Sequence, residues 1–213
     1  MNPTSKCTPG SRRKLPRSFY ERRALDLAPD LLGRILVHHA PEGRTSGIIV
    51  EVEAYVGPLD RAAHSYGGRP TRRTRVMFGP PGRAYVFFVY GMHYCFNVVA
   101  AGEGEPEAVL VRAVEPLEGI ELMALRRRLP VKTERDLIRL TNGPGKLAAA
   151  LGIDMTHYGI DLTGDRLFLE EGQPVLPEKI VASPRIGVAY AGEWADRPWR
   201  FSVAGSPYVS LAP

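Results

Sequence analysis

The run Tyr85-Val86-Phe87-Phe88-Val89-Tyr90-Gly91-Met92-His93-Tyr94-Cys95-Phe96-Asn97 constrains the fold most, because aromatic and β-branched residues flank a turn at Gly91-Met92. Such residues favour pleated, half-buried backbone, and a tight turn between two such runs makes them antiparallel neighbours. A lone hairpin is marginal in water, so other strands have to extend it. The chain supplies them: strands are expected at 34–39, 47–56, 84–90, 94–101 and 108–115, then near 166–170, 180–190 and 199–204. Helical spacing marks 118–128, 133–140 and 145–151, the last closed by Gly152. Ser18 and Glu21 have capping-box spacing, which predicts a helix from Phe19 that Pro29 interrupts. Consecutive strands with helices collected in the middle specify an α+β fold with a mainly antiparallel sheet.

A chain of 213 residues with 44% hydrophobic content suits one large domain. Residues 1–17 read as a basic, disordered tail and 18–213 as the single folded domain. Twenty-eight basic residues against 23 acidic ones give a charge of +5, which favours a polyanionic partner over an acidic small molecule. Its placement sharpens the point: Arg69, Arg72, Arg73 and Arg75 form one cluster, Arg126, Arg127 and Arg128 another, and Arg12, Arg13, Lys14 and Arg17 a third. Each cluster alone is equally a solvated face; three together suit a phosphate-tracking surface. Two cysteines, Cys7 and Cys95, support neither a disulfide framework nor a thiolate metal site. No apolar run reaches membrane-spanning length, and no secretory signal opens the chain. The expected location is a reducing interior: cytoplasmic and nucleoid-associated in a bacterium, nuclear in a eukaryote.

Chemistry concentrates in Glu51-Val52-Glu53-Ala54-Tyr55-Val56-Gly57-Pro58. Strand alternation sends Ile48, Val50, Val52 and Ala54 one way and Glu51, Glu53 and Tyr55 the other. Carboxylates on a strand entering a domain need compensation for lost hydration, unless this is an edge strand with one wet face. Glu51 and Glu53 are expected roughly 6.5–7 Å apart, with Glu51 structural. Arg112 lies in the apolar run Val109-Leu110-Val111-Arg112-Ala113-Val114 and needs an anion, either Glu53 or a phosphate. Exposed Tyr90, Met92 and His93 at a hairpin tip suit wedge residues between base pairs, or else a contact with the core or a second chain. Asn142-Gly143-Pro144-Gly145-Lys146-Leu147 opens a helix with free backbone N–H groups beside a lysine, suiting a phosphate or simple helix capping. The five histidines lack zinc-like spacing, and no metal or cofactor is implied. Phosphate-loop, dinucleotide and serine-hydrolase signatures are absent. The long connection 57–83, rich in Gly, Pro and Arg, reads as a functional loop.

Taken in order, Glu51–Pro58, Ala62-Ala63-His64-Ser65, Tyr90-Gly91-Met92, Asn97, Arg112–Gly119, Gly143–Leu147 and Gly192-Glu193-Trp194 resemble the alkyladenine (3-methyladenine) DNA glycosylase family. The resemblance runs from about Phe19 to the C-terminus. It implies a single domain around a curved, mostly antiparallel sheet, with helices at its edge and a protruding hairpin. It further implies a monofunctional base-excision-repair enzyme, monomeric and cofactor-free. Such an enzyme flips alkylated or deaminated purines (3-methyladenine, 7-methylguanine, hypoxanthine, ethenoadenine) from double-stranded DNA and hydrolyses the N-glycosidic bond.

By position, Glu53 resembles the general base for the attacking water, and Arg112 the residue that helps hold that water with the carbonyl of Ile186. Tyr55, His64 and Phe87 would surround the extruded base, while Asn97 would crowd the 2-amino group of guanine. Tyr90 matches the intercalating tyrosine, and Met92, His93, Arg127 and Lys146 fall where DNA-backbone contacts are expected. Phe87 departs from a frequent tyrosine, and His93 from a larger aromatic. Two other readings stay open: a helix-hairpin-helix glycosylase with a lyase lysine, based on Asn142–Leu147, and a non-catalytic nucleic-acid-binding module.

Overall fold

The computed structural model describes residues 12–210. The expected tail over residues 1–11, Cys7 included, and residues 211–213 lie outside that range. Residues 12–17, read from sequence as part of the tail, pack on the domain instead. Lys14 bridges Glu170, the Leu15 N–H donates to the Leu169 carbonyl at 2.9 Å, and the Leu15 side chain is buried.

Eight antiparallel strands form the sheet, ordered β3 (Ala84–Val89), β4 (His93–Ala100), β5 (Glu107–Glu118), β2 (Gly43–Tyr55), β1 (Ile35–Ala40), β6 (Leu167–Glu170). The remaining pair, β7 (Ile180–Ser183) and β8 (Arg200–Val203), attaches through β8 to β2 over Glu51–Glu53. This is the α+β, mostly antiparallel architecture expected from the strand-turn pattern. Alternation explains its two faces. Val86, Phe96, Val98, Val109 and Val111 join Leu27, Leu31, Leu147 and Leu151 in the main core. These leucines come from α2 (Ala24–Leu31) and α5 (Pro144–Leu151), which pack on that face beside α3 (Ile120–Arg127) and α4 (Glu134–Thr141). The intervening residues Tyr85, Phe87, Cys95, Asn97, Leu110 and Arg112 line a cavity on the opposite face.

Three local expectations change. The Ser18/Glu21 capping box is not formed: a single turn, α1 (Arg17–Tyr20), follows Pro16, and the break falls at 21–23. Pro29 sits inside α2 rather than ending the helix. Only the first four residues of the strand expected over 180–190 pair with β8; beyond Ser183 the chain turns away, and a 3-10 segment occupies Ala189–Trp194. Gly187 and Gly192, both at positive φ, mark that irregular path.

Candidate active site

Two bulges bring two carboxylates and an arginine together. In the β2–β5 ladder Ile49 pairs with Val114 and Glu51 with Ala113, so Val50 is an extra residue on β2. Val52 then pairs with Val111, which makes Arg112 an extra residue on β5. An extra residue bends a strand and re-aims the side chains beside it. Val50 thereby leaves the face of Val52 and Ala54 and packs with Ala113 and Tyr208, correcting the simple alternation. The guanidinium of Arg112 is directed between the two acids: Nε donates to Glu51 Oε1 at 2.9 Å, and Nη1 lies 3.1 Å from Glu53 Oε1. All three residues are buried. The arginine thus has both carboxylates as partners.

The two acids differ in what surrounds them. Glu51 accepts from the Ser210 N–H (2.6 Å), the Ser210 hydroxyl (2.8 Å) and Arg200 (3.3 Å) in addition to Arg112, which suits the structural role expected of it. Glu53 Oε1 receives Arg112 and the backbone N–H of Ile186 at 2.8 Å, and Oε2 receives the Tyr55 hydroxyl at 2.8 Å. Burial first, then the Glu53 charge, pushes the Tyr55 hydroxyl well above its usual range, so it stays a donor. An ionised carboxylate has about four acceptor sites; three are used, leaving capacity on Oε2 for one more donor such as a water. The Ile186 N–H thus bonds Glu53 directly, a contact separate from the water-holding carbonyl that the resemblance implies for this residue.

The loop that delivers Ile186 is held by an ion pair not foreseen in the sequence. Arg185 grips Asp60 in two bonds of 2.6 and 2.9 Å, both side chains fully buried. Arg185 also donates to the carbonyls of Ala54 (2.9 Å) and Trp194 (3.2 Å), and its guanidinium lies 4.7 Å from the Tyr55 ring centre. Asp60 in turn accepts from the Ala62 N–H, at the start of the Ala62-Ala63-His64 run.

Glu53, Arg112, Tyr55, His64, Phe87, Asn97, Ile186 and Tyr90 all line one cavity of about 460 Å³. Four further lining residues, Arg73, Tyr85, Cys95 and Tyr190, carried no sequence signal of this role. His64 Nδ1 is 2.8 Å from the Tyr85 hydroxyl, and its ring meets Phe87 edge-on with centres 4.6 Å apart. Close packing, then the Arg73 charge, pushes His64 down to about 4, so it is neutral near pH 7. Arg73 Nη2 donates to His64 Nε2 at 3.1 Å, which puts the imidazole proton on Nδ1, facing Tyr85. Asn97 is fixed by donating to the Tyr85 carbonyl at 3.0 Å. Burial raises the Cys95 thiol to about 11, so it is no nucleophile at neutral pH. Among the described residues no lysine lines the cavity. Among the described residues no group of three His, Cys, Asp or Glu side chains is arranged to hold a metal.

Tyr90 stands on the rim, 82% exposed, with Met92 69% exposed beside it. The turn centres on Tyr90-Gly91 rather than Gly91-Met92: φ is +53° and +67° at these residues, and the Met92 N–H reaches the Val89 carbonyl at 3.3 Å. Glycine accepts that backbone; tyrosine bears strain of order 1–2 kcal/mol. His93 is exposed and packs toward α5, where a Cβ on Gly145 would lie 3.0 Å from the imidazole. Close approach of the hairpin is thus one reason for the second glycine of Gly143-Pro144-Gly145. Lys146 donates to Asn142 Oδ1 at 2.8 Å. Partial burial, with Arg127 and Arg139 as neighbours, lowers its affinity for a proton. Arg127 is lowered by burial and Arg139, and its Nε has no partner. These three cations gather on one surface.

Comparison with known proteins agrees across nearly the whole chain. A model of the methylpurine-DNA glycosylase family matches residues 18–207. A relative from Bacillus thuringiensis (strain Al Hakam) is 51% identical over 204 residues, covering 92% of this chain and 98% of the relative. One from Desulfitobacterium hafniense (strain Y51) is 51% identical over 203 residues, with 93% and 99% covered. A third, from Bacillus cereus (strain ATCC 14579), is 52% identical over 200 residues, with 92% and 98% covered. Each carries the provisional name 3-methyladenine DNA glycosylase.

Proposed function

The chain belongs to the methylpurine-DNA glycosylase family, and from that premise we propose that it excises damaged purines from double-stranded DNA by direct attack of water on the glycosidic carbon. The observation that carries this reading is Glu53: a buried carboxylate on a cavity wall, held by three donors and with acceptor capacity to spare. A base within a duplex hides its glycosidic carbon, so the nucleotide has to be everted at a cost of a few kcal/mol of stacking. Tyr90 fills the gap left in the stack, and the basic clusters and the Arg127–Lys146 surface bind phosphates. The base enters the cavity among Tyr55, His64 and Phe87, with Asn97 opposing an extra 2-amino group. Water bound at Glu53 Oε2 loses its proton to the carboxylate as its oxygen bonds the sugar carbon, and the C–N electron pair leaves with the purine. Arg112 offsets the charge of the paired acids and holds Glu53 in place. 3-Methyladenine, 7-methylguanine, hypoxanthine and ethenoadenine are the substrates to test.

The lyase alternative needs an amine at the sugar carbon, and among the described residues no lysine lines the cavity. Borohydride should therefore trap no covalent DNA adduct. In the central experiment, Glu53→Gln and wild type are incubated with duplexes carrying each lesion and free base is measured. General-base loss should slow release about 10²–10⁴-fold while duplex binding persists. Release at the wild-type rate by Glu53→Gln refutes the mechanism.

A further inference from the structure

Arg73 is an exposed cation at the cavity wall with no carboxylate partner among the described residues. Its guanidinium lies 4.8 Å from the centre of the Phe87 ring, and Nη2 donates to His64 Nε2. Its positive charge also acts on the Tyr85 hydroxyl and the Cys95 thiol of the same wall. The Phe87 ring face, which would attract a positively charged alkylpurine, is thus already covered by a cation. A second cation arriving there meets repulsion, while a group gaining negative charge meets attraction.

We propose that Arg73 is a specificity-determining residue that favours neutral purine lesions over cationic ones by stabilising the negative charge that develops on the departing base. The inference rests on the glycosylase reading above. For a neutral lesion such as hypoxanthine, the bond between the sugar carbon and N9 breaks with its electron pair staying on the purine. The water oxygen bonds the sugar carbon, the water proton passes to Glu53, and the purine anion takes a proton from solvent after release. Arg73 donates charge and hydrogen bonds to that anion without itself losing a proton. A cationic lesion such as 7-methylguanine leaves as a neutral molecule and has no use for this stabilisation. The wall therefore supplies this assistance through the Arg73 charge, beside a neutral His64 and a Tyr85 hydroxyl raised to about 12.

The test is single-turnover release of hypoxanthine and of 7-methylguanine from otherwise identical duplexes. Wild type is compared with Arg73→Gln, which keeps donors but not charge, and Arg73→Lys, which keeps charge. Arg73→Gln should lower the ratio of hypoxanthine to 7-methylguanine release about tenfold, and Arg73→Lys should restore most of it. An unchanged ratio, including equal losses on both lesions as for a plain phosphate contact, overturns the proposal. If wild type releases neither base from either duplex, the glycosylase reading fails with it; if wild type releases both and only the ratio is insensitive, this inference alone falls.

Discussion

Replacing Arg185 by Met strands the carboxylate of Asp60 in the protein interior. Both side chains of this pair are fully buried, and Arg185 supplies two bonds to Asp60, two to backbone carbonyls and a guanidinium against the Tyr55 ring. Asp60 would keep only the N–H groups of Val56 at 3.3 Å and Ala62 at 3.0 Å. Removing one partner of such a pair costs about 3–5 kcal/mol, since the remaining charge has lost its compensation. That is a large part of a total stability of order 5–15 kcal/mol. For a chain of this size it lowers the melting temperature by roughly 6–20 °C. Urea unfolding followed by circular dichroism should show an earlier midpoint at unchanged slope. Asp60→Asn alone should cost a similar amount by stranding the cation. The double variant should cost clearly less than the sum, because the second change removes the stranded charge. Base release adds a functional arm: Ile186, next in sequence, should lose its hold on Glu53, and kcat should fall while duplex affinity changes little. A stability loss below about 1 kcal/mol for Arg185→Met, or strict additivity in the double variant, refutes the clamp.

Other consequences follow from the same geometry. Tyr90→Gly relieves the strained turn and should stabilise the fold by up to about 1 kcal/mol, yet slow excision; a parallel rise in activity and stability would remove the wedge role. The salt dependence of duplex binding should be the same in that variant as in wild type, because Tyr90 contacts no phosphate in this scheme. His64 is depressed from 6.5 to about 4, so between these pH values the unfolded chain binds the extra proton. Its contribution to stability is thus complete above pH 6.5 and lost as pH falls toward 4. The ring is exposed at the cavity mouth, which keeps the effect to about 1 kcal/mol or less. His64→Asn should flatten the stability profile in that window, and an unaltered profile would contradict the assigned neutral state.

Local pattern determined much of this molecule. Period-two alternation over 84–100 and 107–111 settles which residues face the helices and which face the cavity, because a strand has only two sides. The same rule put Glu51, Glu53 and Tyr55 together, and the resemblance carried by short motifs named eight residues that line one cavity. Tertiary structure decided the rest. The bulges at Val50 and Arg112 set one guanidinium between two acids, and a bulge depends on how two strands separated in sequence come into register. Asp60 and Arg185 lie 125 positions apart, and nothing local to either announces the other. Arg73 looked like one member of a basic cluster for phosphates; only the path of loop 57–83 brings it over Phe87 and His64. Side-chain type and spacing are encoded residue by residue, whereas the partner that compensates a buried charge is chosen by the folded chain as a whole.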